Sequence, residues 1–150
     1  QGMNQRAEMG PGPYGIALMR IVVGFVFLMH GQQKLFEMGV GNVEGWFGSL
    51  GIPAPALAAL VVSLVELIGG IALIVGAMTR LFGILLAVDM LVALLVFHRP
   101  NGFFMASNGI ELVLVLSAVS LGLVLTGPGA LALDAVLPVQ RRLALAQRTA

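Results

Sequence analysis

The stretch MHGQQKLF (residues 29–36) closes a strongly apolar run with two groups that hold or move a proton, His30 and Lys34. Spaced i, i+4, they share one face of a helix. Glu66 lies inside a second apolar run, and FHRPNGFF (residues 97–104) ends a third with His98, Arg99 and Asn101. Glu111 opens a fourth. A charge at the centre of a membrane helix costs about 2.5–3.5 kcal/mol on insertion scales, so acids in such runs are functional candidates. Their chemistry is proton transfer by imidazole and carboxyl, with lysine stabilising negative charge that develops beside it. The ordinary alternatives are concrete too. Lys34 and Arg99 at helix ends would snorkel to headgroups, His98 would sit wet at the interface, and a glutamate would be a neutral, hydrogen-bonded structural group.

The elements that must position these groups follow from composition and periodicity. Of 150 residues, 59% are hydrophobic and 10% charged, and the mean hydropathy is +1.01. Soluble domains carry about 25% charged residues, so this chain reads as an integral membrane protein of one domain. A net charge of +1 implies no attraction to nucleic acid. Zero cysteines exclude dithiol relays and thiolate metal sites in this chain. Residues 1–13 read as a flexible or surface-lying tail without the order of a signal peptide. Residues 138–150 read as a basic juxtamembrane tail touching anionic lipid.

Four apolar segments, Tyr14–Phe36, Pro55–Met78, Leu81–Phe97 and Ile110–Thr126, approach the roughly 20 residues a spanning helix needs. The reading is an all-α, antiparallel four-helix membrane bundle, residues 14–137, with no clear internal repeat. The short GAMTR link forces a hairpin between the second and third helices. Between the first and second, Val43, Trp46, Phe47 and Leu50 follow one helical face, predicting a short amphipathic helix at the interface, begun by Asn42 and stopped by Gly51 and Pro53. Arg6, Arg20, Arg80, Arg141, Arg142 and Arg148 fall toward one side and Lys34 and Arg99 toward the other, which puts both termini in the cytoplasm.

Within that frame Glu66 lies about 16 Å from the start of its helix, near the midplane, with Asp89 at similar depth. His30, Lys34, His98, Arg99 and Glu111 gather at the outer lip. Ser63, Glu66 and Gly70 form one small-residue stripe, and Glu111, Val115, Ala118 and Gly122 another, so both glutamates are expected to face the bundle interior. Asp89 and His98, nine residues apart, are half a turn out of phase and are not expected to serve one site. Arg20 reads as a snorkelling residue at the inner lip. Trp46, Phe103 and Phe104 read as interface aromatics, and the eight methionines as core filler. Pro100 stops its helix, and the Asn101-Gly102 turn holds His98 over the cluster.

These residues resemble the DoxX family of small bacterial four-helix membrane proteins. The likeness rests on HGQQKLF, WFGSLGIPAP, VELIGGIALIVGAMTRLFGILLA, FHRPNGFF and GIELVLVLSAVSLGL, and spans about residues 15–137. It implies a multi-pass protein of the bacterial inner membrane whose characteristic polar residues are His30, Lys34, Glu66, His98, Asn101, Gly102 and Glu111. It also implies a subunit of a membrane oxidoreductase complex. In the quinone-linked version, His30, His98 and Glu111 supply protons, Glu66 relays them and Lys34 stabilises charge, with Asn101 and Gly102 helping to bind the quinone. The chain has no haem, flavin or dinucleotide motif, so electrons would come from a partner subunit or directly from substrate. In the alternative, the chain is a non-catalytic accessory or assembly subunit of a larger membrane complex and the cluster is structural. A metal site ranks last, since the Glu-x-x-His spacing of di-iron bundles is missing.

Overall fold

Glycines set how closely the first two long helices approach. The computed structural model describes residues 10–136. Helix α1 (Gly12–Gln32) starts behind Pro11 and packs along α3 (Pro55–Val75), which starts with Pro55 in its first turn. A Cβ on Gly31 would land on the backbone of Leu67, and one on Gly70 on the backbone of Leu28. Gly24 meets Gly70 and Leu73 in the same way. Backbones this close exchange dispersion contacts along the whole seam, which replaces the hydrophobic drive that lipid does not supply. At the second seam Gly83 of α4 (Thr79–Ala93) approaches Ser120 and Val124 of α5 (Glu111–Thr126). Phe27, Leu73, Leu86, Met90, Val113, Leu116 and Leu123 fill the space between the pairs.

Three helical stretches, Gly12–Ser49, Pro55–Val75 and Thr79–Asn101, are long and apolar enough to cross a membrane, and α5 is a shorter apolar helix. No strand occurs among the described residues, and the all-α membrane bundle expected from composition is the architecture observed. Residues such as Leu18, Phe25, Leu57, Leu95 and Leu125 point outward, as they must where the surrounding solvent is lipid. The proposed tails at 1–13 and 138–150 fall, apart from residues 10–13, outside the described residues.

Two helices widen before they end. α1 passes into a π-helical segment, Gln33–Gly39, and α4 into another, Leu94–His98. Gly39, at φ +80°, then turns the chain into α2 (Val40–Ser49). The predicted amphipathic helix is therefore present, but it begins before Asn42, whose side chain instead donates back to the Met38 carbonyl at 2.7 Å. Its apolar face, Val43 and Phe47, is buried against Ala59 of α3.

Arg20 corrects the sequence reading. It is 0% exposed and does not snorkel. Nε donates to Pro128 O, Nη1 to Leu73 O and Ile74 O, and Nη2 to Ala130 O and Leu131 O, all at 2.6–3.0 Å. The five N–H groups of a guanidinium thus meet five carbonyls, two of them from the last turn of α3, where helix carbonyls lack internal partners. Asp134 completes this end by accepting from Met78 N at 2.7 Å and Thr79 N at 2.9 Å, capping α4 from 55 residues away in sequence.

Candidate functional site

At the other end of the bundle the π-helical segments change which residues meet. Lys34 projects from the segment after α1, and its Nζ reaches Glu66 Oε2 of α3 at 2.6 Å. Their side chains are 14% and 3% exposed, so the pair is nearly dry. A charge-assisted bond at this length, with little water to compete, is stronger than a surface ion pair. Lys34 is therefore held inward rather than drawn out to headgroups.

Asp89 of α4 reaches the same cavity as this pair, its Oδ2 buried without a hydrogen-bond partner. Both acids, with His30, Lys34 and His98, line one cavity of about 540 Å³. The remaining walls are mostly apolar and aromatic: Phe27, Trp46, Phe47, Met90, Phe97, Leu112 and Leu116. Trp46 stands edge-on to Phe97 with centroids 5.0 Å apart, and Phe97 is likewise edge-on to His98 at 4.8 Å. A space of this size and lining suits a flat apolar ligand carrying a few polar atoms.

Asp89 and His98 share this cavity, against the phase expected of an unbroken α-helix. An α-helix advances about 100° per residue, so nine residues give half a turn. The wider Leu94–His98 segment advances less at each residue and swings His98 back toward the face of Asp89. His98 Nδ1 then meets the Asn108 carbonyl at 2.7 Å. A carbonyl only accepts, so Nδ1 carries the hydrogen, leaving Nε2 as the ring position for other partners.

Glu111 is the second correction. It is exposed, as is Val115, and does not line the cavity; the buried face of α5 is Val113, Leu116, Ser117, Ser120 and Leu123. Its carboxylate instead accepts from Met105 N at 2.9 Å, holding the loop before its own helix. Asn101 and Gly102 also lie off the cavity wall. Asn101 Nδ2 donates to Phe97 O at 3.0 Å, and Gly102 O accepts from Ile110 N at 3.0 Å. These contacts fold the 99–110 loop over the mouth, where Asn108 and Gly109, both missed in the sequence, join the lining. Gly109 packs on the Phe103 backbone so tightly that no Cβ fits.

The sequence also missed Asp89 and Trp46 as members of this site. A signal for Asp89 was present in its matched depth with Glu66. Trp46 offered none beyond its helical face. No group of three or more His, Asp or Glu side chains able to hold a metal ion occurs among the described residues.

The comparisons with known proteins agree with this architecture. The DoxX family model matches residues 15–99, and the chain belongs to the DoxX family. It is a membrane-spanning protein. It is 35% identical over 132 residues to a Bacillus subtilis protein named putative oxidoreductase CatD, covering 88% of this chain and 90% of that one. A Haemophilus influenzae protein, named only as uncharacterized, is 38% identical over 125 residues, 81% of this chain and 90% of its own. The Escherichia coli inner membrane protein YphA is 28% identical over 127 residues, 81% and 89% of the respective chains. No solved structure matches the chain.

Proposed function

We propose that this chain is the membrane subunit of a quinone-linked oxidoreductase complex and that its cavity holds the quinone ring. The observation that carries the reading is the cavity itself, apolar over most of its wall and furnished with Lys34, Glu66, His30 and His98. A quinone needs a low-dielectric slot for its ring and donors near its carbonyl oxygens, and these residues supply both. The name of the Bacillus subtilis relative supports the oxidoreductase class. His30 and Gln33 also border a groove lined by Phe25, Val26, Met29 and Glu37, the side on which an apolar tail would reach lipid. Glu111, Asn101 and Gly102 act here by holding the loop that closes the mouth. Electrons come from a partner subunit or from substrate. The membrane domain, residues 14–137, lies in the bacterial inner membrane with both termini in the cytoplasm and the cavity facing outward.

A second reading, an accessory or assembly subunit, draws on the same Lys34–Glu66 bond, which also ties α1 to α3. Protein purified with its complex separates the two. Lipid extraction should yield bound quinone, and Glu66→Gln and His98→Ala should keep the copurifying subunits while losing quinone turnover. Variants that dissociate the complex, from a protein that carries no quinone, would overturn the first reading in favour of the second.

A further inference from the structure

Along α4 and its π-helical extension the cavity meets Asp89, Met90, Ala93, Phe97 and His98. Of these only Asp89 and His98 are polar, and both present acceptors. Asp89 Oδ2 is buried with no hydrogen-bond partner. A carboxyl group holds at most one hydrogen and otherwise accepts. His98 Nδ1 gives its hydrogen to the Asn108 carbonyl at 2.7 Å, so Nε2 of the neutral ring is a second acceptor. The side-chain donors that line the cavity belong to other elements, and the charged one, Lys34, is engaged by Glu66 Oε2 at 2.6 Å. A buried acceptor without a donor is costly, and a ligand that brings the hydrogen removes that cost.

The spacing of the two acceptors suits a ring. Nine residues of helix rise about 13 Å, and the wider segment before His98 shortens that span. Between them the wall is made by the small side chain of Ala93 and the ring of Phe97, which Trp46 meets edge-on at 5.0 Å. A flat ring lying lengthwise here points one substituent at each acceptor. We propose that Asp89 and His98 select the reduced form of the ligand, an aromatic ring whose two hydroxyls donate to Asp89 Oδ2 and His98 Nε2. Oxidised, the same ring turns a carbonyl oxygen toward each acceptor, and neither contact has a hydrogen to share. A site built to bond a hydroxyl discriminates strongly against the analogue that lacks it, because its own polar groups are left unpaired. This selectivity deepens the quinone reading above and rests on it.

Calorimetric titration of delipidated protein under argon tests it with three short-chain ligands built on one ring. They are the 1,4-quinone, the 1,4-quinol, and the 1,4-difluoro compound, which keeps the shape of the quinol and has no donor. The wild type should bind the quinol at least about tenfold more tightly than either of the others. Asp89→Asn puts an N–H where an acceptor stood, and should weaken the quinol while strengthening the quinone. A loss of packing alone would weaken both together, and that result would remove Asp89 from the selection. A wild type whose quinol preference falls short of tenfold, or whose difluoro ligand matches the quinol, overturns the proposal and leaves the quinone reading standing. Binding of none of the three sinks both. The wild-type comparison decides the matter whether or not the variant folds.

Discussion

Lys34 and Glu66 form a nearly dry ion pair that ties the extension of α1 to α3. Inside a bundle, each charge has given up its water, and the 2.6 Å contact is what offsets that loss. Removing one member strands the other. Lys34→Met is therefore expected to destabilise the protein by about 3–5 kcal/mol, the range for breaking a buried ion pair. Lys34→Met combined with Glu66→Met should recover part of that, since two apolar side chains replace the ion pair while the Asp89 carboxyl stays on the cavity wall. Thermal unfolding of detergent-solubilised protein measures both, and a double variant no more stable than the single one would show that packing rather than charge sets the loss. Arg20, at the opposite end, shows the same physics through hydrogen bonds alone. Its place was not legible in the sequence, because three of its five carbonyl partners belong to the segment after α5, and no local pattern announces that this segment folds back.

At the scale of elements, small residues decide the helix seams. Gly31 and Gly70 admit no Cβ without displacing the backbone of the facing helix, so Gly31→Ala and Gly70→Ala should each destabilise by about 1–3 kcal/mol, as overpacking does. Gly45 lies in α2 with open space where its Cβ would stand. Gly45→Ala should instead stabilise by up to about 1 kcal/mol through helix propensity. A matched set of melting curves checks the contrast, and equal effects at Gly31 and Gly45 would contradict the close approach of α1 and α3. The four apolar helices and the inward Glu66 were legible because hydropathy and the Ser63–Glu66–Gly70 stripe repeat at helical spacing. The faces of His98 and Glu111 were not. Periodicity assumes an unbroken α-helix, and the widened turn at Leu94–His98 shifts the phase of everything after Ala93. For Glu111, a stripe of small residues marked α5 correctly as a packing helix but misidentified the packing side. Ser117 and Ser120, one turn apart, mark the true one.

For the whole molecule, the two ends of the bundle divide the work. Arg20 and Asp134 lock the helix termini at one end with backbone partners. The other end keeps a cavity open, and its titratable groups come from three separate stretches: α1 with its π-helical extension, α3, and α4 with its own. Such a cavity is useful only if something fills it, and the protein carries its own reporter of filling. Trp46 is the single tryptophan of the chain, it lines the cavity, and its ring sits 5.0 Å from Phe97. Quinones absorb and accept electrons, so one bound against this wall should quench indole fluorescence. Titration of delipidated protein with a short-chain quinone is expected to quench Trp46 in a saturating curve. Phe97→Ala should weaken binding by removing an aromatic wall worth about 0.5–1.5 kcal/mol beyond its area, roughly a two- to twelvefold rise in Kd. Free tryptophan in the same detergent controls for quinone dissolved in the micelle. Linear quenching equal to that control would mean that the cavity excludes the ring, and the polar groups around it would then be holding helices together rather than a ligand.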